Sequence, residues 1–207
     1  MKGTFITVEG IEGAGKSTII PRVEAWLSSG GRRVVRTREP GGTKLAEKLR
    51  GLLLDKRHDG LCSLAELLLM FAARAQHLAE KIRPALEAGD TVLCDRFTDA
   101  TWAYQGGGRE LPAQEIGALE KLVHPDLQPD LTLLLDLPVP LGLERASRRS
   151  ESDRFERESS AFFERVRSAY LQRAADAPAR FAVIDASQDV EAVWLQVEAV
   201  LQERLGG

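Results

Sequence analysis

Asparagine is absent from this chain of 207 residues, cysteine occurs only twice, and no run of 18 apolar residues is present. Without asparagine the chain lacks the Asn-Lys-x-Asp motif with which GTP-dependent switches commonly recognise guanine. Cys62 and Cys94 are too few for a disulfide framework, and Cys94 ends an apolar run, so we expect it to be a small buried residue. Without a long apolar run or a leader before the first strand, we expect no membrane span, no secretory signal and a cytoplasmic protein.

The composition is ordinary for a globular protein, with 43% hydrophobic and 29% charged residues. The net charge of −3 at pH 7 gives no support to nucleic-acid binding, so neither nucleic acid nor membrane is expected as a partner. The length suits one α/β core, and we predict a single domain over residues 1–207.

Residues 10–17 read Gly-Ile-Glu-Gly-Ala-Gly-Lys-Ser, which matches the P-loop pattern G-x-x-x-x-G-K-[ST]. An apolar strand precedes the motif and a helical pattern follows it, as the motif requires. The glycines allow backbone N–H groups to face phosphate oxygens, and the helix start adds unpaired N–H groups. Lys16 would reach the outer phosphates, and the Ser17 hydroxyl would bind Mg²⁺.

Short apolar runs alternate with longer segments of helical period, which predicts a parallel sheet covered on both faces. The predicted strands are 3–9, 32–37, 90–95, 131–137 and 180–184. The predicted helices lie near 15–29, 43–54, 63–88, 99–106, 112–123, 140–149, 157–175 and 189–205. Pro84 should bend or end the main body of the longest helix, 63–88, whose apolar surface could partly bury against a second subunit.

Charged residues follow two of these strands. Asp95 and Arg96 come directly after one strand, and Arg38 follows another just before a Pro-Gly-Gly turn. The carboxyl ends of parallel strands form the ligand crevice, where an acid can hold Mg²⁺ and an arginine can bind a phosphate through two N–H groups. A surface ion pair and a simple strand-to-helix turn are the alternatives.

Phe71 and Arg74 are neighbours on one face of the long helix. A ring beside a guanidinium suits a flat heterocycle, because one stacks and the other donates to a carbonyl. The sequence pattern fits Phe71 as a core side chain equally well.

Segment 144–158 is rich in arginine and in acidic residues. It is either a solvated, self-paired surface or a lid over phosphates, which we place at about 146–157. Its arginines are Arg145, Arg148, Arg149, Arg154 and Arg157.

Together these residues resemble the bacterial thymidylate kinases over nearly the whole chain. The resemblance is carried by residues 10–17, 37–43, 71–74, 95–97 and 104–109, of which the last block, Tyr-Gln-Gly-Gly-Gly-Arg, is the most specific. It implies a P-loop NTPase fold: a three-layer α/β/α domain with a five-stranded parallel sheet. It implies transfer of the γ-phosphoryl group of ATP to dTMP, which gives dTDP for DNA precursor synthesis, with Mg²⁺ as cofactor and a homodimer as the assembly.

The resemblance also implies roles for individual residues. ATP binding would involve Gly10, Ile11, Glu12, Gly13, Ala14, Gly15, Lys16, Ser17 and Thr18, with Arg145 packed on adenine. The dTMP site would comprise Arg38, Phe71, Arg74, Arg96, Thr101, Tyr104 and Gln105. In that site Arg38 and Arg96 lie near the phosphate, Phe71 stacks on thymine, Arg74 and Thr101 lie at its polar edge, and Tyr104 would crowd a 2′-hydroxyl. Ser17 and Asp95 would serve the metal.

The family supplies a catalytic arginine from either the P-loop or the lid. Positions 11–14 contain no basic residue, so this chain resembles the lid-arginine kind, and the choice between Arg149 and Arg148 stays open. The other candidate catalytic residues are Lys16, Glu12 and Arg96. Two further functions are weighed against this one: a kinase for another nucleoside monophosphate, and an ATP-hydrolysing mechanical or DNA-processing module.

Overall fold

The computed structural model describes residues 3–55, 61–148, 154–155 and 158–206. Five parallel strands form one sheet in the order β2-β3-β1-β4-β5. The strands are β1 (Phe5–Glu9), β2 (Val34–Arg38), β3 (Thr91–Asp95), β4 (Leu131–Asp136) and β5 (Phe181–Asp185). Each begins and ends within two residues of its predicted bounds, so the expected five-stranded parallel sheet is confirmed.

Helices flank the sheet. They are α1 (Lys16–Ser29), α2 (Lys44–Leu54), α3 (Ser63–His77), α4 (Arg83–Glu87), α5 (Thr98–Thr101), α6 (Ala113–Val123), α7 (Val139–Ser147), α8 (Ser160–Asp176) and α9 (Val190–Leu205). Two π-helical segments continue α3 and α5, at Leu78–Ile82 and Trp102–Gly108 respectively. No described helix is long and apolar enough to cross a membrane.

The long helix predicted at 63–88 is interrupted in its hydrogen-bonding pattern. The π-helical segment Leu78–Ile82 follows α3 and leads into α4, whose second residue is Pro84. Because proline lacks an N–H and crowds the preceding turn, an α-helix cannot pass it unchanged. The helix predicted at 99–106 likewise consists of one α-helical turn and a π-helical segment, Trp102–Gly108.

The strand order places β1 at the centre, between β3 and β4. Its five residues are all buried, and in the register Val8 lies opposite Asp95 while Glu9 lies opposite Leu134. The loop after β1 therefore emerges in the middle of the carboxyl edge of the sheet, flanked by the ends of β3 and β4. In open parallel sheets this edge holds the ligand.

Candidate active site

The P-loop joins β1 to α1 through glycines in left-handed conformations. Gly13 has φ of 73°, and a Cβ there would lie 1.9 Å from the carbonyl oxygen of Gly142. Gly15 has φ of 91° at the start of α1, and a Cβ there would meet nothing within 4 Å. The first glycine lets the loop pack on α7, while the second faces open space, where the first N–H groups of α1 can meet an anion.

The loop borders a cavity of about 240 Å³ at the carboxyl edge of the sheet. Of the residues predicted for the site, the cavity is lined by Glu12, Gly13, Ala14, Gly15, Lys16, Ser17, Arg74, Asp95, Arg96, Thr101, Tyr104 and Gln105. Phosphate-binding and base-binding candidates from five separate stretches of sequence therefore share one space. Gly10, Ile11 and Thr18 belong to the P-loop and α1 but do not line this cavity.

Arg96 forms the centre of a network of hydrogen bonds on one wall. Its Nη2 donates to Glu12 Oε1 at 2.8 Å and to the Tyr104 hydroxyl at 3.0 Å, and its Nη1 donates to the Tyr170 hydroxyl at 3.0 Å. Burial alone would lower the pKa of Arg96, but Tyr104 and the Glu12 carboxylate raise it well above its usual range. The guanidinium is thus a fixed cation beside the P-loop.

Glu9 supports this network from inside the core. Its fully buried carboxylate accepts from the Tyr170 hydroxyl at 2.7 Å and from the Phe97 backbone N–H at 2.7 Å. Burial and the nearby Asp99 carboxylate raise the pKa of Glu9 to about 8, against the opposing effects of Arg96 and Tyr170. Tyr170 was not predicted as part of the site, because it lies 74 residues from Arg96 in the chain.

Arg74 lines the same cavity and is held by a second set of hydrogen bonds. Its Nε donates to Glu39 Oε2 at 2.7 Å, and its Nη2 donates to Thr101 Oγ1 at 2.9 Å. Burial alone would raise the pKa of Glu39, but Arg74 and His77 hold it below its usual value. Nη1 of Arg74 is buried and has no hydrogen-bond partner among the described residues. Arg74 therefore lines the cavity and keeps one buried donor that no described residue satisfies.

Phe71, which is predicted to stack on the base, is not among the residues that line the cavity. Met70 lines the cavity, whereas the ring of Phe71 is buried in a cluster with Leu67 and Ile116. Met70 and Phe71 precede Arg74 on α3 by four and three residues, so both are its neighbours on the helix surface. Of the two, Met70 is the one that lines the cavity together with Arg74. The Arg74 guanidinium lies over the Phe71 ring, 4.8 Å from its centroid, so Phe71 packs against a residue that lines the cavity.

Asp95 and Ser17 line the cavity beside Lys16. Oδ1 of Asp95 is buried without a hydrogen-bond partner among the described residues. Carboxylate and hydroxyl oxygens are ligands that Mg²⁺ accepts, and with nucleotide phosphates it needs only one or two of them from the protein. The residues present therefore fit Mg²⁺. No group of three or more His, Cys, Asp or Glu side chains that could hold a metal occurs in the described ranges.

Three arginines that were predicted for the site do not line the cavity: Arg38, Arg145 and Arg148. Arg38 is half exposed and paired with Glu47, Nη2 to Oε2 at 2.9 Å, and it lines a second groove that also contains Ser17 and Asp95.

Arg145 donates to the carbonyl oxygens of Ala186 at 2.7 Å and Ser187 at 3.1 Å, so it holds the loop after β5. Arg148 is exposed and paired with Glu144 at 2.6 Å. Arg149 lies outside the described residues, as does most of the predicted lid.

The sequence analysis missed Glu66, a fully buried carboxylate on α3. It accepts from Gln105 Nε2 at 2.8 Å and pairs with Arg109 and Arg154. The sequence contains one signal for such a residue: the helical period of α3 places this acidic side chain among buried apolar ones.

The chain is similar to known proteins over almost its entire length. A family model described as thymidylate kinase matches residues 8–197. A thymidylate kinase of Chromohalobacter salexigens is 62% identical over 205 residues, which cover 98% of this chain and 97% of the relative. A thymidylate kinase of Pseudomonas putida is 60% identical over 201 residues, 97% of this chain and 96% of the relative. A crystal structure of thymidylate kinase from Ehrlichia chaffeensis superposes with a TM-score of 0.79 at 38% identity, covering 98% of this chain and 99% of that one.

Proposed function

The chain belongs to the thymidylate kinase family, and we propose that the cavity beside its P-loop holds dTMP and the phosphate chain of ATP for phosphoryl transfer. The reaction is the ATP-dependent phosphorylation of dTMP to dTDP. One observation supports the proposed site most directly. The side chains of Lys16 of the P-loop, Arg96 and Arg74, three cationic groups from separate parts of the chain, border the same cavity.

The proposed roles follow the chemistry of these side chains. Lys16 contacts the outer phosphates of ATP, and Arg96 with Glu12 positions the phosphate and sugar of dTMP. The acceptor atom is a phosphate oxygen that is already ionised at neutral pH, so the reaction needs no strong general base. The protein contributes alignment and stabilisation of negative charge.

Mg²⁺ is the proposed cofactor, and Asp95 and Ser17 are the residues that would hold it. When bound, it would neutralise negative charge on the ATP phosphates. The buried Oδ1 of Asp95, for which the described ranges offer no hydrogen-bond partner, supports this assignment. A cytoplasmic location remains an expectation from the sequence.

A panel of acceptors tests the proposal. With ATP and Mg²⁺ we expect the highest kcat/KM for dTMP and a lower value for dUMP, since one methyl group in an apolar pocket is worth about 1–3 kcal/mol. A higher kcat/KM for AMP, CMP or GMP would contradict the proposed acceptor site. Fast ATP hydrolysis without any acceptor would favour a mechanical ATPase instead.

The proposed lid arginine requires a separate test. Replacing both Arg148 and Arg149 with alanine is expected to lower kcat about tenfold or more with little change in the affinity for dTMP or ATP, because the arginine would meet charge that develops only in the transition state. Single-turnover rates and equilibrium binding measure the two quantities apart. Wild-type kcat in the double variant would exclude a catalytic role for both arginines.

We also propose a homodimer formed through the exposed face of α3. Leu64 and Leu68 are each 49% exposed, and they continue into Ala72, Ala75 and Ala79, which are exposed at helical spacing. An apolar stripe of this length on a helix whose opposite face is buried suits a second copy of the chain.

Replacing Leu68 with aspartate is expected to shift the assembly from two chains to one, because each two-fold interface would bury the new charge twice. Light scattering after gel filtration gives the mass directly. Leu195→Asp, at a 64% exposed leucine on α9, is the matched control and should leave the mass unchanged. A monomeric unsubstituted protein, or a Leu68→Asp variant of unchanged mass, would refute the proposed interface.

A further inference from the structure

Glu66 is a fully buried carboxylate whose hydrogen-bond partner Gln105 lines the cavity. Arg109 approaches it with Nε at 3.3 Å from Oε1 and Nη2 at 3.3 Å from Oε2, and Arg154 Nη2 donates to Oε2. Its remaining bond comes from Gln105 Nε2, 2.8 Å from Oε1. The catalytic and binding roles proposed above do not include Glu66.

The charge of Glu66 determines which way the Gln105 amide faces. A carboxylate paired with two guanidinium groups, as Glu66 is with Arg109 and Arg154, can only accept hydrogen bonds. Gln105 must therefore present its NH₂ group to Glu66, and its carbonyl oxygen is left at the other end of the amide. Gln105 is 1% exposed and lines the cavity, and no described residue donates to its Oε1.

Two side chains that line the cavity then supply a donor and an acceptor. The donor is Nη1 of Arg74, which has no hydrogen-bond partner in the described part of the chain; Nη2 of the same residue is bonded to Thr101, four residues before Gln105. The acceptor is Gln105 Oε1. A pyrimidine imide presents a carbonyl oxygen and an N3–H, which match this pair. An aminopyrimidine presents an amino group and a bare N3, which oppose it.

We propose that Glu66 is a positioning residue for base selection: it holds the Gln105 amide with its carbonyl oxygen toward the cavity, and so favours a pyrimidine imide over an aminopyrimidine. The proposal rests on the cavity being the dTMP site. It adds a residue that touches neither substrate and acts through the orientation of another side chain.

The test compares dTMP with dCMP as acceptors for Glu66→Gln. The amide introduced at this position both donates and accepts, so Gln105 is free to turn over and present NH₂ to the N3 of cytosine. The ratio of kcat/KM for dTMP to that for dCMP should fall about tenfold to a hundredfold, the effect of exchanging one mismatched hydrogen bond for a matched one. A purely structural loss would lower both values alike and leave the ratio unchanged, which would overturn the proposal.

A matched control separates the carboxylate from the ion cluster around it. Arg109→Gln removes one guanidinium partner but leaves an acceptor-only group opposite Gln105, so the ratio should stay at the unsubstituted value. An equal fall in this control would assign the selectivity to the ion cluster and contradict the proposal. The double variant Glu66→Gln with Gln105→Glu should recover the ratio, because a carboxylate at position 105 keeps an acceptor oxygen toward the base. Failure to recover it also counts against Glu66.

A measurement on the unsubstituted enzyme covers the case in which Glu66→Gln does not fold. The side-chain amide of Gln105, identified in a ¹⁵N spectrum by its loss in Gln105→Met, should stay bonded to Glu66 and show slow exchange with solvent both with and without dTMP. Fast exchange without dTMP, or release of the NH₂ group on dTMP binding, would overturn the proposal. If the unsubstituted enzyme fails to phosphorylate dTMP, the proposed site itself is wrong, whereas an active enzyme with an unmoved ratio refutes Glu66 alone.

Discussion

Replacing Lys16 with alanine is expected to lower kcat on the order of 10²–10³, the loss typical of one preorganised donor at a developing charge. In the structure the Lys16 ammonium donates to the carbonyl oxygens of Gly10 at 3.0 Å and Ile11 at 3.3 Å, so it is already fixed over the P-loop. Burial and the neighbouring Arg96 lower the pKa of Lys16, while Glu12 and Asp95 oppose that shift. ATP would complete the site by bringing negative phosphate oxygens to a cation that is held in place.

Steady-state rates with ATP and dTMP measure this effect, and Lys48→Ala provides the control. Lys48 lies on an exposed face of α2 and does not line the cavity, so its removal should leave kcat within about twofold, the usual range for surface substitutions. Lys16→Ala should bind dTMP almost normally, because the proposed contacts of Lys16 are to ATP. A variant that loses dTMP affinity as strongly as kcat would show that Lys16 supports the structure of the loop rather than the reacting phosphates.

The sheet could be predicted from the sequence because its strands are buried on both faces. Residues 131–135 form a near-continuous apolar run, and β4 occupies that place with five buried residues. The position of the P-loop followed from the same pattern, since the strand and helix on either side of residues 10–17 fix where the loop emerges. Local pattern and tertiary structure agree there, as expected for a buried parallel sheet.

The side-chain geometry of the site was less accessible from sequence. Phe71 and Met70 are adjacent on α3, and only the rotation of the helix against the sheet decides which of them faces the cavity. Glu66, Glu39 and Tyr170 act through partners that are 35 or more residues distant in the chain. A periodicity argument cannot supply such pairings, because it describes one element at a time.

The π-helical segments show a second limit. Trp102–Gly108 carries Tyr104 and Gln105 into the cavity on a wider turn than an α-helix has. The sequence predicted a helix there, but hydrophobic period alone does not distinguish an α-helical turn from a π-helical one. Such segments are frequent at functional sites, and here two proposed substrate-binding residues depend on one.

Replacing Arg96 with alanine is expected to reduce kcat/KM for dTMP on the order of 10²–10³, through both a higher KM and a lower kcat, because a misaligned acceptor phosphate loses the in-line geometry. Arg96 has φ of 68°, which is uncommon for a residue with a side chain. The hydrogen bonds of its guanidinium to Glu12, Tyr104 and Tyr170 stabilise this strained backbone conformation. Arg96→Lys keeps the charge but not the two-pronged guanidinium, so it should recover only part of the loss.

A comparison of dTMP with thymidine distinguishes phosphate binding from general support of the site. If Arg96 contacts the acceptor phosphate, Arg96→Ala should weaken dTMP binding strongly and thymidine binding hardly at all, since thymidine lacks the phosphate. Arg83→Ala removes a surface guanidinium paired with Asp126 and should leave both affinities unchanged. Because Arg96 also bonds Glu12 and two tyrosines, its loss could instead rearrange the wall of the cavity. In that event dTMP and thymidine would lose affinity equally, and Arg96 would be a residue that shapes the site rather than one that binds the phosphate.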